Sequence, residues 1–284
     1  AGLIDYAGLF PPAALSMKDG VANYHTYRSS SHAWVLGRLI VPVARLDELA
    51  STITESGLPS SPWHISALAG TNVGLDAMTI ASWNADHAHA AIVDVVEAKA
   101  TSVSEVDVIA NAFDASVTTY VEIPVHDDPS ELIAEIGRAG CRAKIRMGGI
   151  TVGAFPGAGS VARFITSCAK QNVPFKATAG LHHPLRGEYR LTYEPDAPCG
   201  SMYGFVNIFV TAAFARAGMP EELLVELLGE GQASAFEFTG AGMTWRDYAL
   251  TLNQLAEARG SLATSFGSCS FREPIDDLLQ LGLL

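Results

Sequence analysis

The feature that most restricts what this chain can fold into is a rhythm. Short runs rich in apolar and β-branched residues recur about every 23–32 residues, and each is followed by a stretch with helical character. The runs fall at 3–10, 34–41, 64–69, 90–98, 117–125, 143–149 and 174–180. Helices are predicted over 17–29, 45–56, 74–84, from Ser102 or Ser104 to about Phe113, from Asp127-Asp128-Pro129 to just before Gly140, and over 159–172. Ser16 and the Asn72 region supply N-caps, while Pro129 and Gly140 punctuate the two ends of their helix. Strands alternating with helices at this spacing indicate βαβ units and a parallel sheet. The rhythm breaks after Gly180 and resumes with a run at 262–267 and a helix over 273–281. Eight strands with helical partners predict an α/β fold, a (β/α)8 TIM barrel spanning 1–284 as one domain, with a helical insertion over 182–260 between strands seven and eight. Within that insertion, helices are expected at 203–218, 220–229 and 245–259, with a short strand at 235–238. The alternative, an open doubly wound sheet, calls for a Gly-rich phosphate turn after the first strand, and Ala7-Gly8-Leu9-Phe10-Pro11-Pro12 is not one.

Two of the strands carry a lysine in the middle and glycine at the end: Ala143-Lys144-Ile145-Arg146-Met147-Gly148-Gly149, and Pro174-Phe175-Lys176-Ala177-Thr178-Ala179-Gly180. A side-chain period of two separates Ala143, Ile145 and Met147 from Lys144 and Arg146, and Phe175 and Ala177 from Lys176 and Thr178. If helices cover the apolar face, the charged set points into the barrel. The same parity turns Tyr120 and Glu122 inward on strand five. On strand four Asp94 and Glu97 have opposite parity, so a regular strand presents only one of them. Several cations and one or two carboxylates then gather near the carboxyl ends of adjacent strands, where barrel active sites lie. An ion network that merely fixes strand register is the competing reading, but buried charges cost several kcal/mol unless well paired. A lysine held among other cations in a dry pocket loses its proton more readily, and the neutral amine is a nucleophile.

The net charge of −12 argues against nucleic acid or an anionic membrane as partner, yet leaves room for an anionic small molecule in a locally positive pocket. Cys141, Cys168, Cys199 and Cys269 show no CxxC spacing, which suggests reduced thiols and neither a zinc site nor a disulfide framework. The longest apolar helix candidate, 205–215, contains Asn207 and falls far short of the roughly 20 residues a spanning helix needs. A cytoplasmic protein, and a homo-oligomer, is expected.

Taken in order along nearly the whole length, these strands resemble the deoxyribose-phosphate aldolases, a family of class I (Schiff-base) aldolases. Leu3-Ile4-Asp5-Tyr6 with Leu9-Phe10-Pro11 is similar to the family's opening Ile-Asp-His-Thr-Leu-Leu-Lys-Pro, and Val93-Asp94-Val95-Val96 to its strand-four Asp-Met-Val. Lys144 through Gly148 resembles Lys-Thr-Ser-Thr-Gly, whose lysine forms the Schiff base. Lys176-Ala177-Thr178-Ala179-Gly180-Leu181 resembles Lys-Ala-Ser-Gly-Gly-Ile, whose lysine perturbs the first. Thr264-Ser265-Phe266-Gly267-Ser268 stands where the family's last strand ends in a phosphate-binding turn. The resemblance implies a lyase with Lys144 as nucleophile, Lys176 as its electrostatic partner, and Asp94 or Glu122 moving the proton. It places Asp5, Thr178, Gly180, Ser265, Gly267 and Ser268 around the substrate and implies no cofactor. Arg146, outside the family pattern, and His182, at the mouth of the barrel after strand seven, join them as candidates, His182 as an acid–base or substrate-binding group or as loop surface. The chain departs from the pattern at Ile145-Arg146-Met147, at Ala179-Gly180 and in the insertion. A carboxylate-bearing carbonyl compound suits Arg146 better than deoxyribose 5-phosphate, since guanidinium binds carboxylate bidentately.

Two other readings stay open. In one, the cations stabilise an enolate without an imine, in an isomerase, hydrolase or lyase assisted by a divalent metal on His182 with Glu122, His126 or Asp94. In the other, a non-catalytic barrel binds an anionic metabolite. Ser265, Ser268 and Ser270 are candidates either for an anion site at the start of the last helix or for a simple N-cap. Glu188, Tyr189, Arg190 and Tyr193 are candidates for a lid or a solvated loop.

Overall fold

In the computed structural model, which describes residues 2–57 and 61–284, the first seven strands each lead into helical structure. They are β1 (Ile4–Tyr6), α1 (Met17–Arg28), β2 (Leu36–Pro42), α2 (Leu46–Glu55), β3 (Trp63–Leu68), α3 (Val73–His87), β4 (Ala91–Lys99), α4 (Val103–Ala112), β5 (Thr118–Glu122), α5 (Ser130–Arg138), β6 (Arg142–Arg146), α6 (Ala158–Gln171) and β7 (Phe175–Thr178). A longer segment follows, with β8 (Gly187–Arg190), β9 (Cys199–Met202), α7 (Phe205–Arg216), α8 (Glu221–Leu228), β10 (Phe236–Thr239), β11 (Gly242–Trp245), β12 (Tyr248–Thr251) and α9 (Leu252–Ser261). The chain returns through β13 (Ala263–Ser268) and α10 (Arg272–Gln280). Strands β1 to β7 and β13 form a closed parallel barrel, sealed where Ile4, Asp5 and Tyr6 pair with Phe266, Gly267 and Ser268. Every strand of the predicted barrel is present.

Local chemistry starts the helices where the sequence reading placed them. Ser16, Asn72 and Ser102 accept hydrogen bonds from the backbone N–H of Asp19, Leu75 and Glu105, satisfying donors that the first helical turn leaves free. The apolar parity set of β6 and β7 (Ala143, Ile145, Met147, Phe175, Ala177) is buried in the core between barrel and helices. That leaves the opposite set to fill the barrel.

The segment between β7 and β13 is more mixed than the helical insertion expected from sequence. Helices α7 and α8 pack on α6, and α7 also meets α9 and β13. Asn207 is buried in apolar α7 but fully used, donating to the carbonyls of Leu227 and Glu230 and accepting from the Arg186 N–H. Beside them lie two small antiparallel sheets, β8–β9 and β10–β11–β12. The helix predicted over 245–259 is corrected here: only its second half is helical. Trp245 pairs with Tyr248 across a two-residue turn, and Arg246 there takes φ 52°. Met243, Trp245 and Leu250 are buried by this hairpin, and a Thr251–Gln254 capping box starts α9. Tertiary burial of Trp245 outweighs the helical pattern of the isolated segment. No described helix is long and apolar enough to cross a membrane, and all four cysteines are free.

Candidate active site

Adjacent parallel strands carry the charged residues in one register row. Glu122 on β5 lies opposite Lys144 on β6, which lies opposite Lys176 on β7. Across the barrel axis the side chains form an alternating chain of charge. Lys176 Nζ donates to Asp5 Oδ2 at 2.6 Å and to Glu97 Oε1 at 2.7 Å. Lys144 Nζ lies 2.7 Å from Glu97 Oε2 and 2.7 Å from Glu122 Oε2. Ser66 Oγ donates to Glu97 Oε1 at 2.6 Å. Asp5 also accepts from Ser265 Oγ at 3.0 Å and from the Arg38 N–H at 2.9 Å. The Tyr120 ring centroid is 5.4 Å from Lys176 Nζ, close enough for its π face to contribute.

Burial alone would raise the Glu97 carboxyl, but the charges and hydrogen bonds of Lys144 and Lys176 outweigh it and hold Glu97 well below the usual carboxylate range. For Lys176, burial alone favours the neutral amine, and Asp5 and Glu97 reverse that and raise it above an ordinary lysine. The expectation of lysines gathered with other cations is therefore corrected. Carboxylates separate them, because each buried ammonium needs an opposite charge at contact distance to offset its desolvation.

The two lysines differ in access. A cavity of about 310 Å³ opens at the carboxyl ends of the strands, lined by Lys144, Glu97 and Glu122 together with Arg146, Thr178, Gly180 and His182. Lys176 is fully buried and is not part of that wall. Arg146 is exposed at the rim and has no ion-pair partner among the described residues. Gly180 is required twice over: its φ is +66°, and a Cβ there would lie 2.8 Å from the Phe155 ring and 3.0 Å from the Gly148 Cα. Gly267 also lines the cavity, where a Cβ would meet Thr178 Oγ1 at 3.0 Å.

Several candidates land elsewhere. Asp94 bonds Arg38 at 2.7 and 2.8 Å and His64 at 2.8 Å, and it does not line the cavity. Burial would raise its carboxyl, but Arg38 and His64 lower it overall. The carboxylate that β4 brings to the lysines is Glu97, through a bulge: Val93 pairs with Ile65, yet Val95 pairs with the very next residue, Ser66. The extra residue resets the parity, so Val93 and Val96 both pack in the helix-facing core and Glu97 turns inward. Asp5 is sealed inside as a partner of Lys176 and has no free surface for substrate. Ser265 is committed to Asp5, and Ser268 Oγ accepts from the Ser270 N–H. Ser270 Oγ in turn accepts from the Glu273 N–H, while the N-cap position of α10, Phe271, has no side-chain cap. Glu273 also stands in the first turn of α10.

Sequence reasoning also missed residues that the cavity uses. Leu191, directly after β8, and Met202, the last residue of β9, line it, as does Cys269. Glu273, with Tyr193 from the stretch read as a lid or solvated loop, stands behind His182: Glu273 Oε2 is 3.2 Å from His182 Nδ1 and accepts from Tyr193 Oη at 2.8 Å. No local motif announces these contacts. Among the described residues no group of three His, Cys, Asp or Glu side chains is placed to hold a metal ion, and His126 lines a neighbouring hollow with Arg146 and Lys99. A larger apolar groove of about 440 Å³ lies away from the strands' carboxyl ends, and its one charged residue, Arg259, bonds the carbonyls of Ala263 and Thr264.

The fold and this site define a (β/α)8 barrel with a buried Lys–Glu network towards the carboxyl ends of its strands. The chain matches no protein-family model and no curated protein.

Proposed function

We propose that the protein is a Schiff-base lyase that makes or breaks a carbon–carbon bond in a small, anionic carbonyl compound, with Lys144 as nucleophile. The observation that carries this reading is the asymmetry of the lysines. Lys144 faces an open cavity, while Lys176 is sealed behind it and held as a cation. Lys144 must lose a proton before it attacks. Glu122, which touches it and lines the cavity, is the carboxylate able to pass that proton on to solvent or substrate. Attack on the substrate carbonyl expels water and gives an iminium, which accepts the electron pair of the breaking bond. Lys176 and Glu97 keep the amine in place, and Arg146 at the rim offers a fork for a carboxylate or phosphate. The ordered resemblance to the deoxyribose-phosphate aldolases supports the same reading, with Glu97 in place of Asp94 as the strand-four carboxylate.

A second reading rests on Lys144 contacting two carboxylates at 2.7 Å, as an ammonium does. A lysine that stays charged would stabilise an enolate oxygen without an imine. Borohydride reduction in the presence of acetone, acetaldehyde, pyruvate and glyceraldehyde 3-phosphate separates the two. The expected result is a stable mass adduct that maps to Lys144 and vanishes in Lys144→Met. Absence of an adduct with all four compounds, alongside turnover that survives Lys144→Met, overturns the imine.

A further inference from the structure

The loop leaving β7 ends in a second titratable cluster that the lysine network does not use. His182 follows Leu181 directly, and its Nδ1 faces Glu273 Oε2 at 3.2 Å, with Cys269 Sγ at 3.8 Å. Tyr193 Oη donates to the same Glu273 oxygen at 2.8 Å and lies 3.5 Å from Cys269 Sγ. One turn along α10, Asp277 Oδ2 lies 2.6 Å from His183 Nδ1, and the His183 ring stacks on Tyr189 at 3.6 Å between centroids. Two successive histidines are thus pinned to one face of α10 by carboxylates four residues apart, while the turn after β8 closes the cluster from above. The imidazole of His182 is held in one orientation.

That orientation has a chemical meaning. With Nδ1–H committed to Glu273, the nitrogen left over is Nε2, because a histidine hydrogen-bonded at one nitrogen presents the other. Nε2 has no partner among the described residues, and it is not one of the buried polar atoms sealed without a partner. His182 lines the same cavity as Lys144. The cavity therefore has titratable groups on two sides: Glu97 and Glu122 from β4 and β5, and His182 from the loop after β7.

We infer that His182 is the second acid–base residue of this cavity, exchanging a proton between Nε2 and the oxygen of the substrate fragment not attached to Lys144, with Glu273 and Tyr193 as its positioning residues. The inference rests on the Schiff-base reading of the cavity. In the condensing direction the enamine carbon supplies the electron pair of the new carbon–carbon bond. The π pair of the incoming carbonyl moves to its oxygen and takes the Nε2 proton, leaving neutral imidazole with Nδ1–H on Glu273. In the cleaving direction neutral Nε2 removes the hydroxyl proton, that O–H pair becomes the new C=O bond, and the carbon–carbon pair moves into the iminium. Burial alone would favour the neutral ring, but Cys269 and Glu273 outweigh it and raise His182 to about 9, so the ring carries its proton at neutral pH. The groups facing it are Glu273, Tyr193, Cys269 and His183 on the protein side, and Lys144, Arg146, Lys99, Glu97 and Glu122 across the cavity.

Partial reactions isolate this role. Exchange of the α-protons of acetone or acetaldehyde in heavy water needs only the lysine half of the site; condensation with glycolaldehyde, glyceraldehyde or its 3-phosphate needs both halves. His182→Gln is expected to keep exchange within about twofold while condensation falls by about 10²-fold or more. Tyr193→Phe and Glu273→Gln should lower condensation with exchange preserved. In Glu273→Gln the His182 titration, followed by imidazole NMR, should move from about 9 towards the ordinary 6.5. Condensation unchanged in His182→Gln, exchange and condensation lost together, or wild-type exchange with no condensation to any of the three aldehydes overturns the inference and leaves the lysine reading standing. Wild-type protein that exchanges the α-protons of none of acetone, acetaldehyde and pyruvate, and leaves no borohydride adduct on Lys144, overturns the lysine reading, and the catalytic role of His182 with it.

Discussion

Glu97 is the residue on which the site turns, since one carboxylate carries both lysines. Its contribution to stability has a defined pH window. Because its folded-state carboxyl is held below the ordinary 4.5, that contribution is complete above 4.5 and is lost as pH falls through the lower folded value. Lys176 has the opposite sign: its folded-state amine lies above the ordinary 10.5, so its contribution is complete below 10.5 and is lost as pH rises through the higher folded value. Glu97→Gln should therefore cost about 3–5 kcal/mol at neutral pH, since it leaves two buried ammonium groups without their shared partner. It should also flatten the acid limb of stability against pH, measured by urea unfolding between pH 3 and pH 7. An acid limb as steep as in the wild type would show that Glu97 is not the group that titrates.

At the scale of elements, the bulge in β4 turns inward both of two carboxylates that a regular strand would place on opposite faces, Asp94 at the start of the strand and Glu97 near its end. Asp94 takes Arg38 and His64, and Glu97 takes the lysines. Their substitutions should differ in kind. Asp94→Asn is expected to lower stability by on the order of 1 kcal/mol, as for a partly exposed ion pair, and to leave borohydride trapping on Lys144 at the wild-type rate. Glu97→Gln should abolish trapping. Mass spectrometry of the reduced adduct measures both, and loss of trapping in Asp94→Asn would return Asp94 to the site. The bulge was not legible beforehand, because Ala91 to Lys99 is apolar at most positions and its parity depends on where the neighbouring β3 ladder skips a residue. The lysine strands were legible because each alternates cleanly along four or five residues.

For the molecule as a whole, a net charge of −12 surrounds a rim that carries an exposed guanidinium. Under the proposed reading, an anionic carbonyl compound would be drawn to Arg146 through solvent, where salt screens the attraction. Trapping of pyruvate should weaken between about 0.01 M and about 1 M salt, as the screening length falls from about 30 Å to about 3 Å. Trapping of acetone should hardly change. Equal salt dependence for the two would remove Arg146 from substrate binding, and Arg146→Gln should make pyruvate behave like acetone.

The sequence by itself determined the eight-strand rhythm, the inward parity of β5, β6 and β7, and the helix caps at Ser16, Asn72 and Ser102. Each is a local property, set by backbone period or by one side chain meeting a nearby N–H. Only the tertiary structure decided which carboxylate joins the lysines, that Ser265 serves Asp5, and that Glu273 and Tyr193 stand behind His182. Those contacts join residues as far apart in the chain as Asp5 and Lys176, or His182 and Glu273. Closing the barrel brings them within reach, and the cost of leaving a buried charge unpaired selects among them.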